Sequence, residues 1–111
     1  MDSLNEYRQI IRNVITEYAK LRYAHGEIER QAVLDQEADH YLLMILGQEG
    51  TKRVHGCLIH IDIIDGKIWI QRDGTEDGVA GDLLAAGVTK DKIVFGFRSL
   101  EMLSLTEFAV S

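Results

Sequence analysis

The stretch HIDIIDGKIWIQRDGTEDG, residues 60–78, carries the most regular pattern in the chain. Apolar and polar residues alternate up to Asp65-Gly66 and alternate again after it. A period of two is typical of strands that are buried on one face. Asp-Gly tolerates the positive φ angles that a type I′ turn requires, so the stretch predicts a tight β-hairpin.

A two-residue loop also sets which residues of the two strands face each other. The predicted pairs are Ile64 with Lys67, Ile63 with Ile68, Asp62 with Trp69, Ile61 with Ile70, and His60 with Gln71. One face of the hairpin then carries only isoleucines: Ile59, Ile61, Ile63, Ile68 and Ile70. The other face carries His60, Asp62, Trp69 and Gln71. A slip by one residue would turn the isoleucines to water, so this register is strongly specified.

The flanking segments extend the hairpin into a larger sheet with helices. Before it, apolar residues at steps of three and four, from Leu4 to Leu21, predict an amphipathic helix over residues 3–22. Between that helix and the hairpin tip, three strands are predicted over residues 31–37, 40–48 and 53–64. With the strand over residues 67–73 they form an antiparallel meander.

A second helix is predicted after Gly74, with Thr75 or Asp77 as its cap and Gly87 at its end. Short strands are predicted over residues 93–97 and 107–111. The predicted fold class is therefore α+β, with an N-terminal helix, a mainly antiparallel sheet and a second helix near the C-terminal part. The length of 111 residues fits one domain, residues 1–111.

Composition narrows the classes of function. The formal net charge of −6 disfavours non-specific DNA binding, because affinity for phosphates normally comes from Lys and Arg. A single cysteine, Cys57, cannot form an internal disulfide and indicates a reducing environment. The first ten residues lack a signal-peptide pattern, and no apolar run is long enough for a membrane span. We expect a cytoplasmic protein without membrane association.

The polar face of the hairpin raises the possibility of chemistry. His60 and Asp62 share a face, and Asp73, Glu76 and His55 are near them in the sequence, so a divalent ion could bind. No Cys-x-x-Cys or His-Glu-x-x-His spacing occurs, and a solvated face is the favoured interpretation. Cys57 is expected on the apolar face with Ile59, as a buried and inert thiol.

Trp69 is the unusual member of the polar face. Either the first helix covers this face and Trp69 belongs to the core, or Trp69 is part of a contact surface. In the second case, arginines such as Arg98 could rim it. The candidate interaction surface is formed by His60, Asp62, Trp69, Gln71, Arg53 and Arg72.

Several segments together are similar to a known family. They are LNEYRQII, DHYLLMILG, RVHGCLIHIDIIDGKIWIQRDGTEDGVAGDLLAAGV, TKDKIVFGF and TEFAVS, and they cover almost the whole chain. In these segments the chain resembles the XisI family, the fdxN-element excision controlling factors of cyanobacteria. The resemblance implies a small α+β protein associated with programmed DNA excision during heterocyst differentiation. It also implies an XisH-like protein, encoded beside it, or a separate site-specific recombinase as partner.

Three hypotheses follow. The leading one is a non-enzymatic accessory protein that acts by contact with such a partner or by self-association, with no catalytic residue, cofactor or metal. The second is direct DNA binding by clustered basic residues such as Arg22, Lys52, Arg53 and Arg72. The third, and weakest, is a metal-dependent nuclease centred on His60, Asp62 and Asp73.

Overall fold

Two helices and five strands make up the regular structure of the residues that the structure describes. A computed structural model describes residues 3–21, 27–97 and 108–109 of the chain. Its elements are α1 (Ser3–Ala19), β1 (Glu27–Asp35), β2 (His40–Glu49), β3 (Lys52–Ile64), β4 (Lys67–Asp73), α2 (Val79–Ala85) and β5 (Ile93–Phe95), with a single 3-10 turn at Lys90–Lys92 before β5. The predicted α+β class is confirmed.

The strands lie in one sheet in chain order, β1-β2-β3-β4-β5. All neighbours are antiparallel except β4 and β5, which are parallel because α2 connects them. The core contains Ile11 and Ile15 of α1, Val79 and Leu83 of α2, and alternate residues of the central strands. We name the face that both helices cover the inner face, and the opposite one the outer face.

The Asp65-Gly66 hairpin forms as predicted. Both turn residues have positive φ, 50° and 77°. The four pairs nearest the turn have the predicted register, and the five isoleucines on the predicted apolar face are all buried. Ile59, Ile61, Ile68 and Ile70 are completely inaccessible to solvent. The expected stabilisation is about 1.5–3 kcal/mol for each fully buried side chain.

The predicted pairing of His60 with Gln71 is wrong. A β-bulge shifts the register between Ile61 and His60, so that His60 pairs with Arg72 and Gln71 is the extra residue. A bulge places two residues of one strand opposite one residue of its partner, which an unbroken alternation cannot predict. Beyond it, Ile59 pairs with Asp73, which brings Asp73 to the inner face near the start of α2.

A second bulge interrupts β3. Leu43 pairs with Ile59 and Met44 pairs with Cys57, so Leu58 is the extra residue. Cys57 therefore lies on the face opposite to Ile59, and the prediction that the two share the apolar face is wrong. In the sequence, the bulge coincides with the two consecutive apolar residues Leu58 and Ile59.

The helices are shorter than predicted. The helix α1 ends at Ala19, and Leu21, expected on its apolar face, is 55% exposed beyond its end. The start of α2 is held by side chains from before the helix: Asp73 Oδ2 accepts the Val79 N–H at 2.8 Å, and Thr75 Oγ1 accepts the Gly78 N–H at 3.1 Å. The N-cap position is Gly78 and not the predicted Thr75 or Asp77, and Thr75 contributes only by accepting the Gly78 N–H.

The turn between β1 and β2 is attached to α1 by an ion pair. Arg8 donates from Nε to Asp39 Oδ1 at 2.8 Å and from Nη2 to Oδ2 at 3.1 Å, and the Tyr41 hydroxyl also donates to Oδ1. The Arg8 guanidinium holds the pKa of Asp39 below its usual value. Burial, followed by the hydrogen bond to Asp39, raises the pKa of Tyr41 to about 12.

The C-terminal strand prediction is only partly covered by the described residues. Of residues 107–111, the structure describes Phe108 and Ala109, and Ala109 forms a parallel bridge to Val94. Within the described part of the chain, neither helix is long and apolar enough to cross a membrane.

Candidate functional site

The outer face of the sheet brings together most of the predicted surface residues. One row across the strands runs from His40 on β2 through Asp62 on β3 to Trp69 on β4 and Val94 on β5. A neighbouring row contains Val33, Leu42, His60 and Arg72. Side chains at paired positions project from the same face, so these rows share one face of the sheet, on which Val94 is fully buried.

The centre of this surface is a carboxylate between two imidazoles. Asp62 Oδ1 lies 2.8 Å from His40 Nδ1 and 2.9 Å from His60 Nε2. The Asp62 side chain is only 10% exposed, whereas the side chains of His40 and His60 are 53% and 33% exposed. A nearly buried carboxylate requires compensating hydrogen bonds, and the two histidines supply them.

The cluster has a definite hydrogen-bonding pattern. For both imidazoles to donate to Asp62 Oδ1, His40 must carry its proton on Nδ1 and His60 on Nε2. The hydrogen bond to the Asp62 carboxylate raises the pKa of His40, because it favours the charged imidazolium. The two rings meet edge to face, with their centroids 6.5 Å apart.

Gln71 and Trp69 complete the surface on β4. Gln71 Nε2 points to Asp62 Oδ2 at 3.4 Å, a long hydrogen bond, so Gln71 remains next to the cluster despite the bulge. Trp69 is half-buried, and the position of a Cβ on Gly96 would be only 3.2 Å from its ring. Neither described helix covers this face, so the alternative in which α1 packs over Trp69 does not hold, although Trp69 itself packs against the buried core cluster.

Two arginines were predicted to belong to the same surface. Arg72 reaches it: it pairs with His60, and its Nε donates to the Cys57 carbonyl oxygen at 2.6 Å. Arg53 pairs with Gln48 near the other end of β3, seven positions from His60. With a rise of about 3.4 Å per residue, that separation is roughly 24 Å, so Arg53 lies apart from the cluster.

The basic residues of the DNA-binding hypothesis are distributed in the same way. Lys52 and Arg53 are at the beginning of β3, and Arg72 is near the end of β4 beside His60. Arg22 and Arg98 lie outside the described residues. In the described part of the chain these cations do not form one patch, so the geometry does not favour a phosphate-binding surface.

The residues of the nuclease hypothesis do not converge either. Asp73 is on the inner face and accepts hydrogen bonds from the Thr75 and Val79 backbone N–H groups. His55 pairs with Leu46, well along β3 from His60. Among the described residues, the one group of three potential metal ligands is His40, His60 and Asp62. This set has a single carboxylate, unlike the carboxylate-rich sites that hold Mg²⁺.

Cys57 is half-buried, and its thiol donates to the Ile59 carbonyl oxygen. Burial raises the pKa of this thiol above its ordinary value, although Arg72 acts in the opposite direction. Less thiolate at neutral pH means a less reactive nucleophile. This direction agrees with an inert thiol, but the prediction of a buried thiol on the apolar face is wrong, because Cys57 is half-buried on the outer face.

His40 is the member of the cluster that the sequence pattern did not predict. If β2 and β3 paired without a bulge from Glu49–Lys52 onward, His40 would pair with Ile61. It would then lie on the inner face, away from Asp62. The extra residue Leu58 moves His40 opposite Asp62. The usable signal was the apolar pair Leu58-Ile59, which breaks the alternation of β3.

Comparisons with known proteins agree with the fold. No curated protein matches the chain. A crystal structure of a XisI-like protein from Anabaena variabilis ATCC 29413 superposes with a TM-score of 0.89 at 34% identity, over 97% of this chain and 99% of that one. A crystal structure of the fdxN element excision controlling factor XisI from the same organism has a TM-score of 0.85 at 32% identity, over 99% and 100% of the two chains.

The family comparison covers nearly every residue. The model of the family described as "XisI protein" matches residues 1–110. These residues contain α1, α2 and the five strands. The chain therefore belongs to the XisI family.

Proposed function

We propose that this protein is a non-enzymatic controlling factor for the excision of a DNA element, and that it acts by binding another protein through the outer face of its sheet. The excision process is supported by similarity to the fdxN element excision controlling factor XisI, at 32% identity over nearly the full chain. In this proposal the process is the programmed DNA rearrangement of heterocyst differentiation.

The observation that carries the binding mode is Trp69 on a sheet face that neither described helix covers. On the same face, two and three strands away from Trp69, lie Leu42, half-buried, and Val33, 46% exposed. His60 and Asp62 lie on β3 between them, and Gln71 contacts Asp62 from β4. An aromatic side chain, exposed aliphatic side chains and polar groups on one sheet face are the composition of protein interfaces.

The net charge of the chain favours binding to a protein over direct contact with DNA. The net charge of −6 repels a phosphate backbone, whereas a protein partner with basic residues would be attracted. The partner in our proposal is the XisH-like protein that family members are usually encoded beside. The site-specific recombinase is the alternative occupant, and self-association through the same face is a third.

The experiment is co-expression of the tagged chain with the XisH-like protein of the same genome, followed by affinity capture and light scattering. We expect a complex of defined stoichiometry. Val33→Lys places a charge on the outer face at an exposed position and should weaken capture at least tenfold. Thr16→Lys adds the same charge at an exposed position of α1 and should leave it unchanged.

The same experiment also tests the alternative binding partners of the outer face. If the chain captures the recombinase and not the XisH-like protein, the recombinase is the partner and the outer face is still the binding surface. A salt-dependent shift of the element's end sequences by the chain alone would favour DNA binding. Capture that is equal for Val33→Lys and wild type, or no capture by a folded chain, would overturn the proposal.

A further inference from the structure

We infer that the outer face carries a binding site for one late first-row transition-metal ion of the Zn²⁺ type, formed by His40 Nδ1, His60 Nε2 and a carboxylate oxygen of Asp62. This inference does not depend on the proposed function. It rests on how three side chains from two strands meet at one point.

The first observation is convergence. The potential ligand atoms of the three residues lie within 4.8 Å of one another. Both imidazole nitrogens point to the same carboxylate oxygen, at 2.8 and 2.9 Å. Each nitrogen can donate a hydrogen bond to that oxygen when it carries a hydrogen, or can offer its lone pair to a cation when it does not.

The second observation is the distance available for an ion. Zn²⁺ bonds of about 2.0–2.2 Å to nitrogen and oxygen put tetrahedral ligand atoms roughly 3.3 Å apart. The present separations must therefore widen by about 0.5 Å for a Zn²⁺ ion with these bond lengths. The His40 side chain is 53% exposed and can rotate outward, while Asp62 stays fixed in the sheet.

The third observation is the surrounding charge. Asp35 pairs with His40 across β1 and β2, and its carboxylate acts on His40 electrostatically. Asp39, which precedes His40 in the chain, also acts on it, but this carboxylate is paired with the Arg8 guanidinium. Arg72, the cation in register with His60, directs its Nε to the Cys57 carbonyl oxygen. The potential on the His40 side of the cluster is therefore favourable to a cation.

The ligand set determines the class of metal. Two imidazoles and one carboxylate suit Zn²⁺ and the neighbouring transition metals, whereas Mg²⁺ and Ca²⁺ prefer sets made of oxygen ligands. Three protein ligands leave a fourth position, which faces solvent on the side of His40 and would hold water. Bound metal would also link β2 and β3 at this end of the sheet.

The test uses the full chain without a histidine tag, freed of metal by a chelator. Titration calorimetry with Zn²⁺ should show one ion per chain with a micromolar or lower Kd, and Mg²⁺ should give no binding. His40→Ala should weaken Zn²⁺ binding at least tenfold. His55→Ala removes an exposed histidine of β3 that lies outside the cluster, and it should have no effect.

Two further measurements keep the outcome unambiguous. Circular dichroism should show that His40→Ala is folded, since its side chain is half-exposed. Imidazole NMR signals should shift for His40 and His60 on addition of Zn²⁺ and not for His55. Failure of Zn²⁺ to bind below millimolar concentration, or equal binding by His40→Ala and wild type, would overturn the inference. Loss of partner capture with intact Zn²⁺ binding would refute only the proposed function.

Discussion

Single residues decide where strands of this sheet come unusually close or turn sharply, and Gly66 and Gly47 are two examples. At Gly66 a positive φ of 77° completes the hairpin turn. At Gly47, φ is 150° and a Cβ atom would lie 1.9 Å from the Glu27 carbonyl oxygen. No side chain can be accommodated at Gly47 without moving the backbone of β1.

Gly47→Ala should therefore destabilise the protein by about 1–3 kcal/mol, the usual cost of forcing atoms into a packed site. Chemical denaturation with a global spectroscopic signal measures this. The control is Gly81→Ala in α2, where no atom lies within 4 Å of the added Cβ. There the change should stabilise by about 0.5–1 kcal/mol, because alanine favours the helix. Equal effects of the two substitutions would contradict this assignment.

Cys57 provides a prediction of pH dependence. Its pKa is raised above the ordinary value of 9.0 by burial, so the thiolate fraction at any pH is smaller than in a free thiol. Alkylation of the folded protein should be slow at pH 8 and should accelerate only above pH 9, at higher pH than for free cysteine. The rate is measured by mass spectrometry after timed quenching. A rate at pH 8 equal to that of free cysteine would refute the prediction.

At the scale of elements, short helices and hairpins depend on polar contacts at their ends. The helix α2 has only seven residues, too few to be stable by itself in water. Its first N–H group, that of Val79, is bound by Asp73 at the end of β4, and Thr75 in the following loop binds the N–H of Gly78 just before the helix. The capping contacts therefore connect the position of α2 to the register of the sheet.

Asp73→Ala should cost about 1–2 kcal/mol of stability, the upper range for loss of a capping carboxylate. Asp77→Ala, at an exposed position of the same loop, should change stability by about 0.5 kcal/mol or less. Thermal unfolding of both variants beside the wild type makes the comparison. A larger effect at Asp77 than at Asp73 would show that the cap is misassigned.

The Arg8–Asp39 pair connects α1 to the turn between β1 and β2. Asp39 has a positive φ of 58°, which asparagine also tolerates, so Asp39→Asn removes the charge and preserves the turn. We expect a loss of about 1–2 kcal/mol at neutral pH, because a charge-assisted bidentate contact becomes neutral. Denaturation curves at pH 7 measure this difference.

The Arg8–Asp39 pair also predicts how the stability of the protein depends on pH. The folded pKa of Asp39 is below the ordinary 3.8, so its contribution is fully present above that value and is lost as the pH falls through the folded pKa. The stability difference between wild type and Asp39→Asn should therefore narrow when the pH is lowered below 3.8. A difference that is constant down to pH 2 would exclude this explanation.

At the scale of the molecule, the sheet separates an inner face that makes the core from an outer face that carries the polar cluster. This separation can be tested with two isoleucines of β3. Ile61 is fully buried on the inner face, whereas Ile64, next to the hairpin turn, is 40% exposed. The same substitution at these positions measures what the inner face contributes.

Ile61→Ala should destabilise by about 2–5 kcal/mol, because it removes buried methyl groups and leaves a cavity. Ile64→Ala should cost about 1 kcal/mol or less. Equilibrium denaturation in urea gives both values, provided that the slopes of the two transitions agree. Similar costs at the two positions would be inconsistent with the hairpin register.

Much of this fold could be predicted because its strands follow each other in space in chain order. The alternation around Asp65-Gly66 and the turn residues are local signals, and they yielded the four pairs nearest the turn and the five buried isoleucines. The helical period of α1 and the glycine-bounded α2 were also local. The class α+β followed from these elements and the family segments.

The tertiary structure alone decided which side chains meet on the outer face. Two extra residues, Leu58 in β3 and Gln71 in β4, shift the register beyond each bulge. These shifts place His40 opposite Asp62, turn Cys57 away from Ile59 and send Asp73 to cap α2. The sequence by itself determined the strands and the buried face, because burial acts on every second residue. The pairing of distant residues depends on where a strand accommodates one extra residue, and only the packed sheet settles that position.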